Sequence, residues 1–107
     1  PMRQGMDFGS LMKQAQKMQD DVKRAQKDLA ERIVEGSAGG GAVKVMATGQ
    51  QDLVSVKIDP AAVDPSDVGT LEDLVLAAVN NAMKESRELS RREMESVTGG
   101  MGLPGLM

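Results

Sequence analysis

The 107-residue sequence has no cysteine, histidine, tryptophan or tyrosine, and only one aromatic residue, Phe8. Without cysteine there is neither a disulfide framework nor a thiol nucleophile, a composition compatible with a reducing cytoplasm. Without histidine, the usual general base at neutral pH and the commonest metal ligand are both missing. A lone phenylalanine cannot supply the stacking platforms that hold single-stranded nucleic acid. No apolar run approaches the roughly 20 residues of a membrane-spanning helix. The length fits one domain with a modest core. Pro1 is not an initiator and reads as a processing product or tag remnant, with Met2 or Met6 as the expected start.

Positive charge is also in deficit, with 13 lysines and arginines against 16 acids, a net charge of −3. That sum speaks against a nucleic-acid partner, but its distribution says more. Residues 1–32 carry seven cations and five anions, residues 33–75 two and seven, and residues 76–107 four of each. The acidity is therefore concentrated in the middle, and the two ends are neutral to basic.

What is present is strong periodicity. In "DFGSLMKQAQKMQDDVKRAQKDLAERI" the apolar positions Phe8, Leu11, Ala15, Met18, Val22, Ala25 and Leu29 recur at alternating spacings of three and four. That is a heptad seam, and it predicts a long helix, capped by Asp7 or Ser10, that must bury its seam against another helix. Three β-rich runs follow, "ERIVEG", "AVKVMA" and "LVSVKI", the last two joined by the hairpin turn "TGQQD". "DPAAVDPSD" predicts turns or one short helical turn. A second long helix is expected from Thr70 to about Val97, with Thr70-Leu71-Glu72-Asp73 as a capping box. Beyond Met83 its apolar positions thin out to Leu89, Met94 and Val97, so it is expected to leave the core. The Gly-rich segment 98–107 reads as a flexible tail following a single domain over residues 1–97.

The expected fold is therefore α+β, in the order α-β-β-β-α, with an antiparallel three-stranded sheet and two long helices. Strands of six to eight residues reach only about 20–27 Å, so both helices must overhang the sheet as arms. Three strands also leave sheet edges open, and a dimer through the sheet region is the inference drawn from them.

Gly39-Gly40-Gly41 poses the one catalytic question. A phosphate-binding P-loop needs Gly-Lys-Ser/Thr opening a helix, but here Ala42 and Val43 follow and the chain enters a strand. The triplet instead predicts a turn at positive φ. Adjacent acids such as Asp20-Asp21 and Glu72-Asp73 diverge on a helix and do not converge on one atom. No calcium-loop spacing is present, and the nine methionines read mainly as core filling. The expectation is a non-enzymatic protein without metal, cofactor, membrane or small-molecule substrate.

The cations carry more information. Lys13, Lys17, Lys23, Arg24 and Lys27 fall on the face of the first helix opposite the seam. Lys84, Arg87 and Arg91 form a stripe on the last helix, with Arg92 beside it. On pattern alone these could be solvated salt-bridge faces, because Glu85, Glu88, Glu93 and Glu95 are close by.

The sequence resembles the YbaB/EbfC family of bacterial nucleoid-associated DNA-binding proteins. The resemblance rests on "LMKQAQKMQ" at 11–19, "AGGGAVKV" at 38–45, "VSVKIDP" at 54–60, "LEDLVLAAVNNA" at 71–82 and the glycines of "TGGMGLPG" at 98–105. It implies a homodimer, or a larger assembly of dimers, joined through the central sheet with tweezer-like helical arms. It also implies binding of double-stranded DNA with little sequence preference, on the cytoplasmic nucleoid, with roles in nucleoid organisation and gene regulation. The nine arm cations become candidate DNA contacts, with Lys13 the one fixed by a matching motif. The alternative is a protein–protein interaction module for a recombination or replication factor, motivated by the heptad seam and the apolar tail.

Overall fold

The computed structural model describes residues 7–99. Helix α1 spans Phe8–Glu31, strands β1, β2 and β3 span Ile33–Ala38, Val43–Thr48 and Leu53–Ile58, and helix α2 spans Val68–Thr98, with a short 3-10 turn at Pro60–Ala62. This is the expected α-β-β-β-α order. The expected start at Met2 or Met6 and residues 100–107 of the expected tail lie outside the described residues.

The sheet is antiparallel in the order β1-β2-β3. The alternation in β2 decides which face is buried: Val43, Val45 and Ala47 are fully buried, whereas Lys44 is exposed. The buried face meets Ala78 and Ala82 of α2, and together they form the core. Small residues let the layers approach closely. A Cβ on Gly36 of β1 would land on the Ala82 backbone nitrogen, and would stand 2.6 Å from Ala78 O. Ser86, fully buried on the same helix, donates its hydroxyl to Thr48 O at 2.7 Å, so its polar atom is satisfied.

The triglycine is a turn. Gly39, Gly40 and Gly41 take φ of +66°, +66° and +95°, conformations that a side chain would strain, and they connect β1 to β2. No helix follows them, as the sequence required.

Two expectations need correction. Helix α2 begins at Val68, two residues before the expected Thr70. Asp67 is its cap, accepting from Thr70 N at 3.3 Å and from the Thr70 hydroxyl at 2.7 Å, so Thr70 supports a cap instead of being one. Nor does α2 leave the core after Met83. Ser86 and Leu89 are buried, because the end of the sheet and then α1 lie against them. The helix ends at Thr98, one residue into the expected tail.

The heptad seam of α1 is only half used. Ala25 and Leu29 are buried and Met18 and Val22 half-buried, but Phe8, Leu11 and Ala15 are exposed, Phe8 at 74%. The physical cause is length. The C-terminal half of α1 packs on the outer part of α2, and α2 stops before the N-terminal half is covered. Arg32 at the end of α1 bridges Glu93 of α2 at 3.2 Å and Asp28 at 3.3 Å. Gly49, in the turn between β2 and β3, donates to Leu29 O at 2.9 Å, which fixes the end of α1 to the sheet. At about 1.5 Å per residue, the 24 residues of α1 and the 31 of α2 are about 36 and 46 Å long. Both overhang six-residue strands, and the molecule measures 80 × 26 × 16 Å.

Beta3 is less protected. Val56 lies opposite Val45 and Ile58 opposite Val43, so they share the helix-side face. Helix α2 nevertheless lies over β1 and β2, and Val54, Val56 and Ile58 stay exposed. Beside them, Leu71, Val75, Leu76 and Val79 of α2 line an apolar groove of about 420 Å³.

Candidate nucleic-acid interface

Helical geometry turns the cations outward. At about 100° per residue, Lys84, Arg87 and Arg91 lie opposite the buried stripe Ala82, Ser86 and Leu89 of α2. Lys13, Lys23 and Lys27 likewise lie opposite Ala25 and Leu29 of α1, whereas Lys17 and Arg24 flank the seam, Lys17 beside Ala15 and Met18 and Arg24 beside Ala25 and Glu93. All of these cations, and Arg92, are exposed. Within one protomer the two stripes face away from the helix–helix contact, so the structure does not gather the nine cations into one cluster.

They divide into two groups by their partners. Lys17 and Arg24 share Asp21, at 3.4 and 2.9 Å. Arg24's hydrogen bond is the main reason the Asp21 carboxyl is held below its ordinary pKa, with Lys17 adding to it. Arg91 is clamped by Glu88 and Glu95, both at 2.9 Å, and its hydrogen bond lowers the Glu88 pKa. Exposed pairs of this kind contribute little to stability; their effect is to occupy the cation. Among the described residues no ion pair forms at Lys13, Lys23, Lys27, Lys84, Arg87 or Arg92. These six are available to an external anion without first breaking an internal pair.

Phosphate groups are the anions such faces suit. Flexible cations on rigid helices satisfy regularly spaced charges without reading bases. Three of the seven acids of the middle segment are engaged in the connection between β3 and α2: Asp59 accepts from Ala61 N at 2.9 Å, Asp64 from Ser66 N at 2.9 Å, and Asp67 caps α2.

Sequence reading missed two features. The Arg32–Glu93 pair joins residues 61 positions apart, and no local pattern announces it. Lys44 and Lys57 are paired across β2 and β3; counting back from the "TGQQD" turn would have brought them near one another.

A three-stranded antiparallel sheet with two long overhanging helices, each carrying exposed cations on its outer side, defines an α+β scaffold. The comparisons agree. The model of the YbaB/EbfC DNA-binding family matches residues 4–101. A nucleoid-associated protein of Moorella thermoacetica is 59% identical over 99 residues, covering 92% of this chain and 95% of the relative. One from Acetivibrio thermocellus is 52% identical over 103 residues, covering 95% and 91%, and one from Thermoanaerobacter sp. (strain X514) is 49% identical over 102, covering 95% and 92%. The crystal structure of the Helicobacter pylori protein HP0035 shares the fold, with a TM-score of 0.71 at 23% identity over 80% of this chain and 90% of that one. The chain belongs to the YbaB/EbfC DNA-binding family.

Proposed function

We propose that the protein is a non-enzymatic, cytoplasmic, nucleoid-associated homodimer that binds double-stranded DNA with low sequence specificity through its helical arms and so contributes to nucleoid organisation. The observation that carries this reading is the set of six exposed cations on the overhanging helices that form no ion pair among the described residues. The names of the relatives support the nucleoid as its place of action. Contacts to phosphates position a protein without specifying sequence, and any sequence preference would come from the shape of the duplex.

The dimer follows from what one copy leaves uncovered. Val54, Val56 and Ile58 of the edge strand β3 are exposed, as is the apolar groove along α2, and among the described residues the outer edge of β3 pairs with no strand. A second copy meeting it along β3 buries both. Val56→Asp places two carboxylates in that contact, so the variant is expected to sediment as a monomer while keeping its far-ultraviolet circular dichroism. A variant with the parent's mass would place the interface elsewhere.

The DNA reading is tested by titrating a fluorescent duplex of about 30 base pairs and following anisotropy at several salt concentrations. Affinity is expected to fall linearly in log–log coordinates, by about 0.9 per phosphate contact. No binding at about 50 mM salt, where phosphate contacts are strong, would overturn the reading. The exposed seam at Phe8 and Leu11 would then favour a protein partner.

A further inference from the structure

We propose that the helix-free face of the sheet, centred on Lys44 and Lys57, is a second surface for the phosphate backbone of duplex DNA, so that one particle holds two duplexes. The proposal rests on the DNA-binding reading above and adds a site to it.

Residues 33–75 contain seven acids and only two cations, Lys44 and Lys57. The fold sets those two directly opposite each other on adjacent antiparallel strands, where Cα atoms stand about 4.5–5.5 Å apart. Because Val43 and Val45 are buried beneath α2, Lys44 points to the other face, and its cross-strand partner Lys57 points with it. Both are exposed. Like charges facing one another across strands are destabilising, and among the described residues neither lysine forms an ion pair. Glu35 is the one acid on this face of β1; it lies opposite Met46, diagonal to Lys44, and it too forms no ion pair among the described residues. Edge protection accounts for Lys57, which sits on β3. It does not account for Lys44, in the central strand. An external polyanion satisfies both.

Lys44 extends towards the triglycine turn. Its Cε lies 3.5 Å from where a Cβ on Gly41 would stand, so its stem runs along the triglycine turn. In a dimer joined along β3, two such lysine pairs share one sheet face.

This surface is remote from the arms. Helix α2 passes Gly39 with Leu74 and bonds Thr48 with Ser86, so it leaves the sheet at the end opposite the lysine pair. From Lys44 to Thr48 the strand advances about 13 Å. From Leu29, anchored at Gly49, back to Lys13, α1 extends about 24 Å further. The lysine pair therefore lies on the face away from α2, and at the other end from the cations of α1, so a duplex held along the overhanging arms does not reach it.

The test is capture of a second duplex. Beads bearing one duplex are loaded with the full-length protein at about 50 mM salt and offered a fluorescent duplex in solution. The unmodified protein is expected to retain the fluorescent duplex. Lys44→Glu with Lys57→Glu, and the neutral pair Lys44→Gln with Lys57→Gln, are expected to bind a single short duplex in anisotropy within about twofold of the parent, yet to retain at least about tenfold less of the second. Matching melting curves for the neutral pair verify that the fold is intact. Undiminished capture by the Glu variant overturns the proposal. So does a loss of single-duplex affinity equal to the loss of capture, which would place the lysines in the arm site. An unmodified protein that binds one duplex but retains no second overturns it as well. One that binds no duplex at all overturns the underlying DNA reading instead.

Discussion

Lys13→Glu combined with Arg87→Glu is expected to remove duplex binding at salt concentrations where the parent binds, and the variant is expected to melt with the parent. Both side chains are exposed and neither forms an ion pair among the described residues, so the reversal breaks nothing inside the fold and shifts stability by no more than about 0.5 kcal/mol. In the proposed dimer four phosphate contacts would be lost. At about 0.9 logarithmic units of salt dependence per contact, affinity near 0.1 M salt is expected to fall by about 3.6 orders of magnitude, and four new carboxylates would repel the duplex besides. Arg91 is a less clean choice for the second position. Reversing it leaves Glu88 and Glu95 without their partner and changes the local charge for reasons unrelated to DNA. Anisotropy read beside a thermal melt separates the effects; unchanged affinity with an intact fold would remove these helix faces from the interface.

Gly36→Val is expected not to fold, and Gly36→Ala to lose about 3 kcal/mol or more of a total of about 5–15. The atoms that a Cβ meets there are backbone: Ala82 N, with Ala78 O and Ala82 Cα both at 2.6 Å. No side chain can rotate away. The only relief is for α2 to lift from β1, which opens the layer holding Val43, Val45 and Ala47. A urea melt of the Ala variant gives the figure. A loss below about 1 kcal/mol, within the range of an ordinary substitution, would mean that helix and strand sit further apart than the structure places them.

Sequence periodicity disclosed the elements because each follows from local spacing. The three-four rhythm from Phe8 to Leu29 marks α1, the alternation Val43-Lys44-Val45 marks β2, and three glycines before a strand mark a turn and not a phosphate cradle. The order of elements and the outward faces of the cations came from the same rhythm, and the quoted motifs pointed to the family. What local spacing does not encode is where one element ends relative to another. The seam of α1 looks uniform in sequence, yet only Ala25 and Leu29 are buried, because burial depends on how far α2 runs beside it. The choice between Thr70 and Asp67 as cap turned on which side chain reaches a free backbone amide. Which arm cations are occupied was equally hidden: Lys17, Arg24 and Arg91 have partners, whereas Lys13 and Arg87, in similar company, show none among the described residues. The pairing of Lys44 with Lys57 depends on register, and that register shifts between Met46 and Ala47.

The overhang of the helices also governs how the molecule moves through solution. Its radius of gyration is 21.1 Å, against about 13 Å for a compact chain of 100 residues. By the same scaling, that radius belongs to a compact chain of roughly 380 residues. A single copy therefore experiences drag out of proportion to its mass and emerges early from a sizing column, where its elution position alone would imitate a dimer or more. Mass by light scattering or sedimentation equilibrium, which do not depend on shape, is the measurement that counts subunits.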